Sequence, residues 1–311
     1  MKGLVMRSTG SWYDVLSENG STIQCRVRGK LRLEGIKETN PIAVGDKVSF
    51  DLENGEACLP DRQGIIHEIL PRENYIVRQS VKKTGQAHVI AANIGQAMLV
   101  ATLIRPRTSL GFIDRFLVAA ESFRIPQVII FNKRDLLDQQ TSEEQQRLMQ
   151  LYQSIGVRCL QTTALTDELT EIKNLLKGKI TLLAGHSGVG KSTLLNKIAP
   201  ALEQKTSSIS DFSEKGTHTT TFAEMFRLDN ATFIIDTPGI KEFGLINMGQ
   251  EELSDYFPEM REVRLGCKFG SSCIHVNEPK CAILDAMKSG TIALSRYESY
   301  FSMVMGEDNR K

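Results

Sequence analysis

The chain has 311 residues, enough for two or three domains, and its 41% apolar content gives each of them material for a core. With 38 Lys and Arg against 37 Asp and Glu, the net charge of +1 excludes a molecule-wide cationic field, so a nucleic-acid partner would have to meet locally gathered basic residues. The opening MKGLVMRSTGSWYDV lacks the apolar stretch of a secretory signal, and the window Val89 to Ile104 carries Asn93 and Gln96 and is too short to cross a bilayer; a cytoplasmic protein without a membrane segment is expected.

From Met1 to Pro71, short β-type runs are broken by Gly, Asn and Asp: Trp12 to Leu16, Thr22 to Val27, Val44 to Phe50 and Gly64 to Leu70. Several short strands with almost no helix predict a small barrel, of which the five-stranded OB type is a common example. Arg26, Arg28, Lys30 and Arg32 fall at every second position, which in one strand puts four cations on one face, a ribbon suited to a phosphate backbone. A solvated strand face is the plainer reading, and Gly29 interrupts the run.

After Pro71 and Arg72 the texture becomes α/β. Gln96 to Ile104 and Gln127 to Phe131 read as buried strands. Between them Gly111 to Phe123 reads as a helix, with Phe112, Phe116, Val118, Ala119 and Phe123 on one broad face. Thr141 to Ile155 and Ile172 to Leu176 add further helix. At the end of the second strand stands Asn132-Lys133-Arg134-Asp135. In an N-K-x-D tetrad the Asp carboxylate accepts from guanine N1–H and from the exocyclic amine, a pairing adenine cannot supply, while the Asn and Lys brace the loop. Thr162-Thr163-Ala164 is a weaker candidate for backing the base.

The run Ile180 to Ala184 then turns into Gly185, His186, Ser187, Gly188, Val189 and Gly190, followed by Lys191, Ser192 and Thr193. The spacing G-x4-G-K-S is that of a phosphate loop, whose backbone N–H groups point inward at a polyphosphate. By chance it recurs in about one chain of this length in a hundred. Lys191 is placed to reach the outer phosphates and Ser192 Oγ to ligate Mg²⁺. Further on, Thr232 to Ile235 reads as a strand ending in Asp236-Thr237-Pro238-Gly239, where Asp236 would hold Mg²⁺ through water and the Gly239 N–H would sense a γ-phosphate. The hydroxyl-rich loop Lys215 to Thr221 offers a threonine to complete the Mg²⁺ shell. The base tetrad precedes the phosphate loop. That is the order left when a GTPase sheet is cut at another loop and its old termini are joined.

In the tail, Cys267-x5-Cys273-x-His275-x5-Cys281 supplies three thiolates and an imidazole within fifteen residues, a set that closes one tetrahedral structural Zn²⁺ site. Cys25, Cys58 and Cys159 are scattered. The flanks Glu251 to Phe257 and Ala282 to Met305 have helical pattern, and Lys268, Lys280, Lys288 and Arg296 are expected on a moderately basic surface. The expected architecture is therefore multi-domain α/β: an N-terminal β-barrel at 1–71, a circularly permuted P-loop GTPase domain at 72–247, and a helical zinc-binding domain at 248–311.

Barrel, permuted nucleotide domain and Cys₃His tail in this order resemble the bacterial ribosome small-subunit-dependent GTPases over essentially the whole chain. The marks that carry the resemblance are NKRD ahead of GHSGVGKS, then GTHTTT, DTPG and CKFGSSCIHVNEPKCAI. It implies an OB fold that binds 16S rRNA and a role late in small (30S) subunit maturation. It also implies slow hydrolysis of GTP to GDP, stimulated by the subunit, and help in releasing another assembly factor. By position in the HTTT motif Thr220 matches the family's switch threonine and Mg²⁺ ligand, and His218 matches a residue implicated in hydrolysis. Chemistry supports a need for His218, because Ile240 follows Asp236-x-x-Gly239, where Ras-type proteins keep a water-positioning glutamine. Mg²⁺ with GTP or GDP, one structural Zn²⁺ and a monomeric state complete the expectation. Two departures stand out: five residues rather than four separate the first two cysteines, and Gly188 replaces the Asn of potassium-activated GTPases, so no such K⁺ site is expected. The alternative reading is an RNA-binding scaffold with a structural guanine-nucleotide site.

Overall fold

Alternation of apolar and polar residues builds the first strands. The structure is a computed structural model and describes residues 1–27, 42–53, 63–79, 87–200, 223–236 and 248–306. Strands β1 (Lys2–Ser8), β2 (Tyr13–Ser17), β3 (Thr22–Val27), β4 (Lys47–Leu52) and β5 (Gln63–Ile69) run in the order β1-β2-β3-β5-β4, and β4 pairs back onto β1 to close a five-stranded barrel. β3 and β5 are parallel and the other barrel pairs antiparallel. Val5, Val15, Ile23, Cys25, Val48, Phe50 and Ile66 fill it. Gly64 lets the strands close in, since a Cβ there would lie 2.7 Å from Cys25 Sγ.

β1 was not foreseen. A bulge between Val5 and Arg7 breaks its period of two, leaving only Val5 and Ser8 buried along it. Arg26, next to last in β3, is exposed and paired with Glu53. The rest of the expected basic ribbon, Arg28, Lys30 and Arg32, lies outside the described residues, as does Cys58. At the barrel's exit Asp46 accepts from Arg72 Nε at 2.7 Å and Nη2 at 2.8 Å, a buried bidentate pair. An antiparallel ribbon follows, β6 (Tyr75–Gln79) with β7 (Ala87–Ala92), which the sequence reading had merged into the α/β region.

The described chain divides into two compact units. The first holds the barrel, the ribbon, and strands β11 (Ile180–Ala184), β12 (Glu224–Arg227) and β13 (Phe233–Asp236), with helices α3 (Thr170–Leu176) and α4 (Lys191–Ile198). β11 and β13 are parallel, β12 is antiparallel to β13, and β12 meets the barrel at Arg7 and Glu224, so sheet and barrel are continuous.

The second unit contains most of β8 (Gln96–Ala101), β9 (Gln127–Phe131) and β10 (Arg158–Gln161), with α1 (Leu110–Glu121) and α2 (Gln139–Ser154). β8 is buried along its whole length, as expected of a strand covered on both faces. Ser109 caps α1, and a reciprocal box between Asp138 and Thr141 caps α2. α1 is buried on nearly all sides rather than on the single face expected. The same unit includes the C-terminal segment, with helices α5 (Pro258–Arg261), α6 (Ala282–Lys288) and α7 (Leu294–Val304). The helix expected over Ala282 to Met305 is broken at Gly290, whose φ of +79° ends α6. Phe257, Met260, Ile283 and Tyr300 form this segment's core together with Val118 of α1. Arg296, expected on a basic surface, is instead 1% exposed, because α7 turns it inward against two carboxylates.

Candidate functional site

β9 delivers Asn132 at its end, and the side chain is 3% exposed. Its N–H donates to Ala101 O at 2.9 Å. Its side-chain Oδ1 accepts from Ala164 N at 3.0 Å, and its Nδ2 donates to Val189 O at 2.8 Å. One amide thus joins its own loop, the Thr162–Ala164 segment and the glycine-rich loop 185–190. Gly190 (φ +99°) must be glycine, since a Cβ there would lie 2.3 Å from Asn132 Nδ2.

Lys133 adopts a left-handed conformation (φ 63°) that starts a single 3₁₀ turn, Arg134–Leu136, and its ammonium reaches Arg105 O. Arg134 and Asp135 are exposed on that turn. Thr163 and Ala164 are buried, and Arg134 N donates to Thr162 O at 3.2 Å. Asp167, which the sequence reading missed, organises this segment: its carboxylate accepts from Thr163 N at 2.8 Å and Thr162 Oγ1 at 3.0 Å, and Arg134 stands 3.6 Å away. The Thr163 N–H bond is the main reason its carboxyl sits below the usual range. No local turn signal in the sequence marks Asp167, because its bonds run back four and five residues to Thr163 and Thr162 rather than forward as in an Asx turn.

In the phosphate loop Gly185 (φ +145°) packs so closely that a Cβ would lie 2.4 Å from Val100 O. His186 is half-buried, its ring 3.8 Å from that of Phe112 and tilted by 33°. Val189 is fully buried, and Ser187 and Gly188 are exposed. α4 begins at Lys191, with Ser192 exposed and Thr193 half-buried in its first turn. Burial pulls the Lys191 ammonium below its ordinary range, opposed by the charge of Asp236 at the end of β13. This places the invariant chemistry of such a loop, backbone N–H groups, a helix N-terminus and a lysine, on consecutive residues. His218, Thr220 and Gly239 lie outside the described residues.

Cys267, Cys273, His275 and Cys281 are all buried, and their donor atoms lie within 4.8 Å of one another. His275 Nδ1 is 3.5 Å from Cys267 Sγ and 3.3 Å from Cys281 Sγ, and those two sulfurs are 3.8 Å apart. Ligands around a tetrahedral zinc lie about 3.4–3.8 Å from each other, so the donor set and its spacing fit that ion. His275 Nε2 is 3.2 Å from Ser254 Oγ, an outer partner that orients the ring with Nδ1 toward the thiols. Burial pushes the Cys273 thiol up to about 12, a cost that a cation among the sulfurs would reverse. Glu278 shapes the loop by accepting from Ile274 N and Val276 N at 2.7 Å and from Asn277 N at 3.0 Å. A 3₁₀ turn, Gly270–Ser272, lies between the first two cysteines.

The base tetrad comes earlier in the chain than the phosphate loop to which Asn132 ties it, and this order defines the class as a circularly permuted GTPase with an N-terminal OB-type barrel. The chain belongs to the RsgA GTPase family, whose sequence pattern matches residues 69–246, with the RsgA N-terminal domain matching 2–59. The small ribosomal subunit biogenesis GTPase RsgA of Christiangramia forsetii is 49% identical over 310 residues, 99% of this chain and 97% of that protein. The crystal structure of YjeQ from Thermotoga maritima matches with a TM-score of 0.75 at 34% identity, over 100% of this chain and 99% of that one. YloQ, described as a circularly permuted GTPase, matches with a TM-score of 0.72 at 30% identity, over 100% and 96% of the two chains. No described helix is long and apolar enough to cross a membrane.

Proposed function

We propose that this chain hydrolyses GTP to GDP slowly by itself and faster on the small ribosomal subunit, where it acts late in maturation and helps release another assembly factor. The observation that carries the nucleotide part is the Asn132 side chain, bonded at once to the base-backing segment and to the phosphate loop. The ribosomal part is supported by the 49% identity to the small ribosomal subunit biogenesis GTPase of Christiangramia forsetii.

In this reading Asp135 selects guanine, with Asn132, Lys133 and Arg134 shaping its loop and Thr163 and Ala164 backing the ring. The N–H groups of residues 185–190 surround the phosphates, with Lys191 on the outer ones. Ser192 and Thr220 would hold Mg²⁺, with Asp236 reaching it through water, and the ion would neutralise phosphate charge. The Gly239 N–H reports the third phosphate and His218 orients water, a task Ile240 cannot perform. The barrel at 1–71 meets 16S rRNA, the nucleotide domain spans 72–247, and the module at 248–311 holds one structural Zn²⁺ through Cys267, Cys273, His275 and Cys281. The protein works in the cytoplasm as a monomer.

Single-turnover hydrolysis with and without purified small subunits tests the reading. A rate raised at least about tenfold by the subunit is expected, whereas equal rates favour the scaffold alternative. Asp135→Asn is expected to weaken GTP about a hundredfold while improving xanthosine triphosphate, because an amide cannot accept two guanine protons. Unchanged selectivity in a competition titration would remove the guanine assignment.

A further inference from the structure

Arg296 is the largest fully buried side chain among the described residues, and a guanidinium withdrawn from water needs compensating partners. Nη1 meets Asp114 Oδ1 at 2.5 Å, and Nε and Nη2 meet the two oxygens of Glu259 at 2.6 and 3.3 Å. Arg296 Cζ lies 4.6 Å from the Phe257 ring centroid. Asp114 also accepts from Tyr152 OH at 3.0 Å.

On one side of this cluster, α7 continues to the metal loop: Tyr297 OH donates to His275 O at 2.9 Å and Tyr300 OH to Ile274 O at 2.8 Å. On the other side, Asp114 belongs to the first turns of α1, two residues after Phe112. Phe112 is 1% exposed and its ring carries His186 of the phosphate loop. Both ends of that loop are already tight, Gly185 against Val100 O and Gly190 against Asn132. A helix buried on nearly every side shifts as a rigid piece, so any displacement at Asp114 reaches the Phe112 ring.

We infer that Arg296 and Asp114 are positioning residues for the phosphate loop, acting through the Phe112–His186 contact, so that seating of the Cys₃His module sets nucleotide affinity. The inference rests on the assignment of residues 185–193 to the phosphates. A purely structural Arg296 would change stability and leave the affinity of the folded fraction alone.

The test is a double-mutant cycle on the full chain with Arg296→Lys, which keeps the charge but loses the bidentate fork, and Phe112→Leu, which keeps apolar volume but loses the ring. GDP affinity is read by fluorescence titration below each variant's melting temperature. Each single change is expected to weaken GDP about threefold to tenfold, and the double change no more than the worse single one. The His186 ring protons give a second reading in NMR, among only five histidines in the chain. Their ring-current shift should vanish in Phe112→Leu and shrink in Arg296→Lys. Should Arg296→Lys fail to fold, Asp114→Asn takes its place, keeping the shape and removing the charge. Native GDP affinity and a native His186 shift in the folded variant overturn the inference, as do losses that simply multiply. A wild-type chain that binds no GDP overturns the phosphate-loop assignment instead, a result told apart by the unaltered control.

Discussion

Two buried polar clusters hold the C-terminal segment, and they solve the cost of burial in opposite ways. The Cys₃His set gathers four donors from fifteen consecutive residues, an arrangement that an outside cation could make favourable. The Arg296 cluster brings its own cation and draws its carboxylates from positions 37 and 182 residues away in sequence. Burial alone would pull the guanidinium down, but Asp114 and Glu259 outweigh it and hold Arg296 firmly charged, while burial pushes the Asp114 carboxyl up. With a metal among its donors the first cluster would be a local clamp whose strength follows metal supply. The second is a long-range joint whose strength depends on every partner being in place.

The largest effect expected from this contrast is metal loss. Protein purified without chelator should carry about one zinc per chain by elemental analysis. Chelation, or Cys273→Ser, should cost about 5 kcal/mol or more and unfold the segment around α6 and α7. A melting curve insensitive to chelator would show that the four side chains pack adequately by themselves. Next comes Arg296→Met, which strands two carboxylates and should cost about 3–5 kcal/mol in chemical denaturation. Replacing Arg296, Asp114 and Glu259 together by apolar residues of similar size should recover most of that loss, since no charge is left buried. No such rescue is expected for the thiol cluster if a bound ion supplies its energy. If the triple variant were as unstable as the single one, the cluster would be a source of stability rather than a solution to burial.

The same contrast explains which features could be read from the amino-acid order. Cys267 to Cys281, Asn132 to Asp135 and Gly185 to Ser192 each carry their chemistry on neighbouring residues, so spacing alone exposes them. Arg296 hid because a cation on a helix with Ser299 and Ser302 beside it looks solvated, and nothing local names its partners. The available hint was Asp114, an acid inside a helix whose other charges are only Arg115 and Glu121, which must find a partner once that stretch is buried. β10 and β12 escaped for another reason: at four residues each they owe their existence to neighbouring strands rather than to their own pattern.

Tyr300 is the point at which the two clusters can be tested against each other. Its ring stands edge-on to Phe257 with centroids 5.5 Å apart, and Phe257 in turn carries the Arg296 guanidinium. Its hydroxyl donates to Ile274 O in the metal loop, and burial keeps that hydroxyl protonated. Tyr300→Phe retains the ring and deletes only the donor, so the expected loss is about 1 kcal/mol. Combined with Arg296→Lys, the losses should fall short of additive by about 0.5 kcal/mol or more if the ring transmits strain from one cluster to the other. Strict additivity would make the clamp and the joint independent, and the metal loop would then bear on the phosphate loop only by keeping α7 folded.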